Sequence, residues 1–263
     1  MRHCLFCDRT DLTREHVWPD WISQFLFGSS KSGRFTARRF VGVDRKPLGT
    51  AFKAGSLNQT ARVVCSDCNN GWMSEVETTT QPILKQMLRG EAVTLSVEDQ
   101  CALRTWIVLR GMILERGASE PNARHFYTDQ ERRHFADVAY DGALEPLDGS
   151  YIWLFEYRTR RWAARSNVAN INLDLEEGSF HFQGITGYVG RFGFQILLGR
   201  WPAGVTLALQ AAKYREWEDA TVLLWPANDQ PIGWPPRYCL HDAVYDSLLD
   251  RLTKGTLVQR RRR

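Results

Sequence analysis

The sequence predicts an α+β protein, and three observations carry that expectation. The first 80 residues are turn-rich and hold two Cys-x-x-Cys pairs, the stretch from about 82 to 140 has helical periodicity, and from Tyr151 the apolar spacing changes to two. Pro82 to Leu88 predicts a short helix begun at the proline. Ser96 stands three residues before Asp99, a capping-box pattern, and predicts a longer helix from about Val97 to Arg116. Leu103, Trp106, Ile107, Arg110, Ile113 and Leu114 give that helix a mostly apolar stripe, and Gly117 ends it. Thr128 to Val138 predicts a third helix, opened by Thr128 or Asp129. Tyr151 to Tyr157, Trp162 to Leu173, Ser179 to Val189, Phe192 to Leu198 and Ala220 to Trp225 then predict an antiparallel sheet over about 151–225. Pro226, Pro231, Pro235 and Pro236 mark a loop before a last helix at about His241 to Thr253. The chain divides on this reading into a first module, 1–80, and an α+β accessory domain, 81–263.

Composition limits the function classes. With 263 residues, 43% apolar and 12% aromatic, the chain buries a sizeable core and is not a disordered segment. No apolar run approaches the roughly 18 to 20 residues that cross a bilayer, and Met1-Arg2-His3-Cys4 leaves no room for the apolar core of a signal peptide. The expectation is therefore a cytoplasmic protein with no membrane partner. A reducing compartment favours metal binding over disulfides for the paired cysteines and leaves Cys101 and Cys239 as buried, inert thiols. The formal charge of +4 is accounted for by the terminal run Arg260 to Arg263, which reads as a frayed end as readily as a nucleic-acid contact. Within the body, Lys31, Arg34, Arg38, Arg39, Arg45, Lys46 and Lys53 share one stretch opposed only by Asp44. Such a strip is either a solvated face or a surface for a polyanion.

The chemistry lies in the first module. Cys4 and Cys7, with Cys65 and Cys68 about sixty residues later, can give four thiolates to one tetrahedral Zn²⁺, each pair forming a tight turn that aims both sulfurs at one point. Glu15-His16 sets a carboxylate beside an imidazole, and Pro19 biases Trp18 toward an extended backbone, so His16 sits in a strand or at its end. Asn69 to Glu77 reads as the start of a helix anchored by the zinc. A strand, a return strand and this helix, clamped together, bring His16 close to Asn69 or Asn70. Trp18, Trp21 and Trp72 read as core around the metal module. Glu75 and Glu77 read as carboxylates favoured by the helix N-terminus rather than as ligands.

These residues resemble the zinc-ribbon branch of the HNH, or ββα-metal (His-Me finger), endonuclease superfamily over roughly the first 80 residues. The matching pattern is Cys4/Cys7, Glu15-His16 with Pro19 shortly after, and Cys65/Cys68 followed directly by Asn69. The resemblance implies a zinc-clamped ββα module that hydrolyses DNA phosphodiesters. In it His16 is the general base, and Glu15 with Asn69, and Asn70 as a further candidate, holds one catalytic divalent ion. Asn in place of the commoner His suggests a hard ion, Mg²⁺ or Mn²⁺. Imidazole can take a proton from water near neutral pH, and a divalent ion can stabilise charge on the scissile phosphate. The insert between His16 and Cys65 is longer than in compact modules of this kind and holds Arg34, Arg38, Arg39, Arg45 and Lys46, the expected nucleic-acid contacts. The usual middle Asn has no near counterpart, since Val63 and Val64 stand where it is expected and Asn58 lies farther out. The C-terminal domain is expected to set target, partner or homo-oligomeric state, and the residues do not separate DNA from RNA. The competing reading is a noncatalytic zinc ribbon that binds nucleic acid or protein, with Glu15 and His16 structural.

Overall fold

The computed structural model describes residues 3–28, 35–41, 46–54, 57, 60–118, 125–139, 150–160, 162–176, 178–202, 215–227, 229–242 and 254–260. Its architecture is mixed, with antiparallel sheets and a few helices. Strand β1 (Leu12–His16) pairs antiparallel with β4 (Thr60–Cys65), from Leu12 opposite Cys65 to His16 opposite Thr60. Between them in the chain lie α1 (Asp20–Phe27), β2 (Phe35–Val41) and β3 (Lys46–Ala54), and β4 runs directly into α2 (Ser66–Asn70) and α3 (Trp72–Arg89). Strand β5 (Val93–Leu95), α4 (Val97–Ala118) and α5 (Asp129–Ala139) follow.

Strands β6 (Tyr151–Arg158), β7 (Trp162–Leu175), β8 (Gly178–Val189) and β9 (Phe192–Arg200) form an antiparallel set close to the expected runs. After them come α6 (Arg215–Ala220), β10 (Thr221–Trp225), β11 (Ile232–Trp234), β12 (Leu240–His241) and β13 (Lys254–Arg260). Among the described residues the large sheet has nine strands, in the order β10-β6-β9-β8-β7-β13-β2-β3, with β12 beside β6 in the one parallel pairing. Strand β13 bridges β7 and β2, so the β2–β3 hairpin of the basic insert joins the same sheet as the C-terminal strands.

The core lies where α4 crosses this sheet. Leu103, Trp106, Ile107, Leu109, Met112 and Ile113 of α4 are buried, as are Phe192, Phe194, Ile196 and Leu198 at every second position of β9. Trp18, at the corner between β1 and α1, packs on Trp106 (6.5 Å between rings) and Phe194 (6.0 Å). One apolar cluster therefore joins the β1–β4 pair to the sheet. Both helix caps read from the sequence form as reciprocal boxes. The Asp99 amide donates to Ser96 Oγ (3.1 Å) and the Ser96 amide to Asp99 Oδ2 (3.0 Å). Thr128 and Glu131 exchange the same two bonds (3.2 and 2.7 Å).

Two expectations need correction. Helix α3 is continuous from Trp72 to Arg89 with Pro82 inside it, rather than beginning at Pro82. The proline removes one backbone donor, but Met73, Val76, Thr80, Leu84, Met87 and Leu88 are buried along one side, and that burial carries the helix through. At the C-terminus, Leu240–His241 is a short strand against β6, not the start of a helix, and residues 243–253 of the expected helix lie outside the described residues. No described helix is long and apolar enough to cross a membrane.

Candidate metal centre and adjoining ionic cluster

The first cysteine pair sits in a turn closed by the Cys4 amide donating to the Arg9 carbonyl (2.8 Å), and the Leu5 amide ties that turn to Val63 of β4 (2.8 Å). The second pair straddles the end of β4, where Cys65 is the residue that caps α2. All four sulfurs lie within 4.8 Å of one another, with Cys7 Sγ 3.6 Å from Cys65 Sγ and 3.8 Å from Cys68 Sγ. A tetrahedral ion with Zn–S near 2.3 Å sets sulfur–sulfur edges of about 3.8 Å, so the spacing fits such an ion, and it is far too long for disulfides. Backbone amides already aim at the sulfurs. The Cys65 amide donates to Cys4 Sγ (3.3 Å), the Phe6 amide to Cys4 Sγ (3.5 Å) and the Cys68 amide to Cys65 Sγ (3.5 Å). Such donors favour thiolate over thiol.

The thiols differ in consequence. Burial pushes Cys68 well above the ordinary thiol range, with the nearby Cys4 charge adding to the push, and burial also raises Cys7. Burial acts upward on Cys65 too, but its hydrogen bonds with Cys68, Cys7 and Cys4 outweigh it and bring the thiol below its ordinary value. Trp72 packs edge-on to Phe6 (5.0 Å) and Phe135 (5.8 Å), so a ring of α5 joins the aromatic contacts beside the cysteines. Among the described residues, these cysteines are the one set of three or more His, Cys, Asp or Glu side chains grouped closely enough to hold a metal. Cys101 and Cys239, expected to be buried, are partly exposed.

At the far end of β1 the structure builds a second arrangement. Strand alternation puts Thr13 and Glu15 on one face. Glu15 is 5% exposed, and its Oε1 accepts from Nη1 of Arg110 at 2.7 Å. The same nitrogen donates to the main-chain carbonyl of His16 (2.8 Å), and Nη2 donates to Glu77 Oε1 (2.9 Å). The Arg110 side chain is completely buried, and it joins three separate elements, α4, the end of β1 and α3. Burial pushes the Glu77 carboxyl above its ordinary value despite the attraction of Arg110, and the Glu15 charge adds to that push while His16 opposes it.

Comparison with known proteins found no matching family model, no similar curated protein and no similar solved structure.

The site residues read from the sequence fall out as follows. Cys4, Cys7, Cys65 and Cys68 converge. His16 is partly buried at the end of β1, three residues along the strand from Thr13. Asn69 comes to β1, but its Nδ2 donates to Thr13 Oγ1 (3.3 Å), while Asn70 is exposed. Arg38 and Arg39 lie in β2 and Lys46 opens β3, whereas Arg34 and Arg45, like Asn58, lie outside the described residues. Sequence reasoning missed Arg110 as a partner of Glu15 and set Glu77 aside. The available signal was an arginine inside an otherwise apolar helical stripe, since a buried guanidinium requires carboxylates around it.

Proposed function

We propose that this protein is a metal-dependent endonuclease of the HNH type, working at the open end of β1 with His16 as the group that accepts a proton from the attacking water. The observation that supports this reading is the order of elements around the cysteines. An antiparallel strand pair, closed at one end by four converging sulfurs, runs without a break into a helix, and Glu15-His16 stands at the other end of the pair. In this reading the four cysteines hold Zn²⁺ as a structural clamp, the basic insert contacts the nucleic acid, and the C-terminal domain sets target, partner or oligomeric state.

Glu15 faces the Arg110 cation and the Asn69 amide faces Thr13, so the two side chains do not converge as a ligand pair in this arrangement. Nicking is therefore measured with and without Mg²⁺ or Mn²⁺. The buried Glu15–Arg110 pair favours the second reading, a noncatalytic zinc-binding module in which Glu15 is structural.

A supercoiled-plasmid nicking assay with Mg²⁺ or Mn²⁺ separates the two. On the first reading the wild type nicks and His16→Ala loses roughly 10²- to 10⁴-fold in rate, with DNA affinity unchanged. Equal binding with no cutting by either protein leaves the noncatalytic module.

A further inference from the structure

A cavity of about 320 Å³ opens at the end of β6, where Tyr157, Arg158, Thr159 and Arg160 meet Gly190 and Arg191 of the β8–β9 turn. Half of its lining residues are arginines. Beneath them Glu156, 2% exposed, pairs with Arg158 (3.3 Å) and with Arg191, which fixes two guanidinium groups from below. Asp242 accepts from the hydroxyls of Tyr157 and Thr159, so among the described residues two carboxylates stand with three guanidinium groups and a positive charge is left over. Arg158 and Arg160 are exposed, and Arg160 has no ion-pair partner among the described residues. Glu156 pairs with both Arg158 and Arg191 but carries one charge against their two. It does not account for Arg160.

The position of this pocket matters as much as its charge. The Arg191 amide donates to the Leu88 carbonyl (3.1 Å), and its guanidinium lies across Gly90, which closes α3 at φ 76°. A Cβ at Gly90 would fall 2.3 Å from Arg191 Nε, so the glycine is what lets the arginine lie there. From that point Arg89, Lys85, Gln81 and Glu77 run back along α3 at four-residue spacing, one stripe of the helix. The stripe borders the aromatics of α1. Arg89 stands 4.4 Å over the Phe25 ring, and Lys85 lies 5.8 Å from Phe25 and 5.9 Å from Trp21. At its end is Glu77, bonded to the same Arg110 that holds Glu15 and His16.

We propose that the arginine pocket binds a phosphate of a single nucleic-acid strand that lies along the Trp21–Phe25–Lys85–Arg89 strip toward His16, an assignment that rests on the nuclease reading for the identity of its ligand. Glu77 to Arg89 covers about 18 Å of helix, long enough for several nucleotides of a single strand. Guanidinium forks held from below match phosphate oxygens, and aromatic rings interleaved with cations are what a sequence-tolerant single-strand surface uses. The C-terminal end of α3 carries partial negative charge, so the anion's attraction comes from the arginines and not from the helix.

Fluorescence anisotropy of a labelled single-stranded oligonucleotide, about 12 nucleotides long, tests this with the full chain, in rising salt and without added divalent ion. Arg158→Glu/Arg160→Glu should weaken binding about tenfold or more and make the slope of log K against log salt shallower by about 0.7, the share of one single-strand phosphate contact. Arg160→Glu alone, which leaves both Glu156 pairs intact, should show about half that slope change and keeps the test readable where the double variant loses its fold. Unchanged affinity and slope in a folded variant overturns the site. A binding difference without any nicking by the wild type keeps the site and removes the nuclease reading, and nicking without a binding difference does the reverse.

Discussion

Arg110 and Glu15, 95 residues apart, form a buried ion pair at 2.7 Å in which the guanidinium has no exposed surface and the carboxylate almost none. Glu77 shares the cation from the other side. Removing one partner from a buried pair leaves an uncompensated charge, which commonly costs about 3–5 kcal/mol. Arg110→Met should therefore lower the unfolding free energy by about that amount. Glu15→Gln added to it should recover part of the loss, because one stranded carboxylate is gone. Urea denaturation of the four proteins of the cycle reads the coupling. Strictly additive losses would show that the two side chains do not hold each other.

The cysteine centre predicts a folding dependence on metal. With four sulfurs converged and backbone amides already directed at them, metal binding is folding free energy for the segment from Cys4 to Asn70. One zinc per chain is expected by elemental analysis. A strong chelator at neutral pH should remove it together with part of the far-ultraviolet dichroism, and Cys65→Ser should reproduce the apo behaviour. Four freely titrating thiols in a chain that stays fully folded would count against a structural ion.

Local features of this chain were legible and long-range ones were not, for a physical reason. The Ser96–Asp99 and Thr128–Glu131 caps each need only four residues, and the strands from Tyr151 to Leu198 need only alternation, so both could be read directly. The cysteines are distant in sequence, yet their spacing within each pair is local and carries the signal. Pro82 misled because its local penalty is real, while the burial that overcomes it depends on residues from elsewhere. Strand β13 pairs with β7 and β2, which lie far upstream, and its Lys254 and Arg260 ends hide a short apolar centre. The Arg110 cluster is the extreme case, because nothing near residue 110 says which carboxylates will reach it.

Glu115 gives a prediction in pH. It is 1% exposed on α4, and its Oε1 accepts from Gln183 Nε2 (2.9 Å) and from the Phe126 amide. Burial raises its pKa above the ordinary 4.5, and the bonds from Gln183 and Phe126 only partly oppose that. A carboxyl with a raised folded pKa stabilises the fold fully below its unfolded value, and that contribution is lost as pH rises through the folded value. Glu115→Gln stays neutral throughout and keeps an oxygen acceptor. The stability of wild type relative to this variant should therefore fall from about pH 4.5 upward. Asp129 and Glu131, whose pKa values are lowered, act in the opposite direction but are common to both proteins and cancel in the difference. A difference that does not change with pH would remove Glu115 from the titrating groups.

Gly111 sets how closely α4 approaches the sheet. A Cβ there would lie 2.6 Å from Ile196 Cδ1 and 3.4 Å from Ile185 Cδ1, and both isoleucines are fully buried. Two effects compete in Gly111→Ala. Replacing glycine in a helix interior gains about 1 kcal/mol, whereas an extra methyl in a packed core costs about 1–3 kcal/mol. The 2.6 Å approach is well inside van der Waals contact, so the packing cost should win and the variant should lose about 1 kcal/mol net. Ile196→Val removes the clashing Cδ1. In that background Gly111→Ala should become stabilising by up to about 1 kcal/mol, a reversal of sign readable by thermal or urea unfolding. Zinc content should stay the same in all four proteins, because neither Gly111 nor Ile196 is a partner in the cysteines' hydrogen bonds. Gly111→Ala that is equally destabilising in both backgrounds would mean that something other than Ile196 limits the approach of α4.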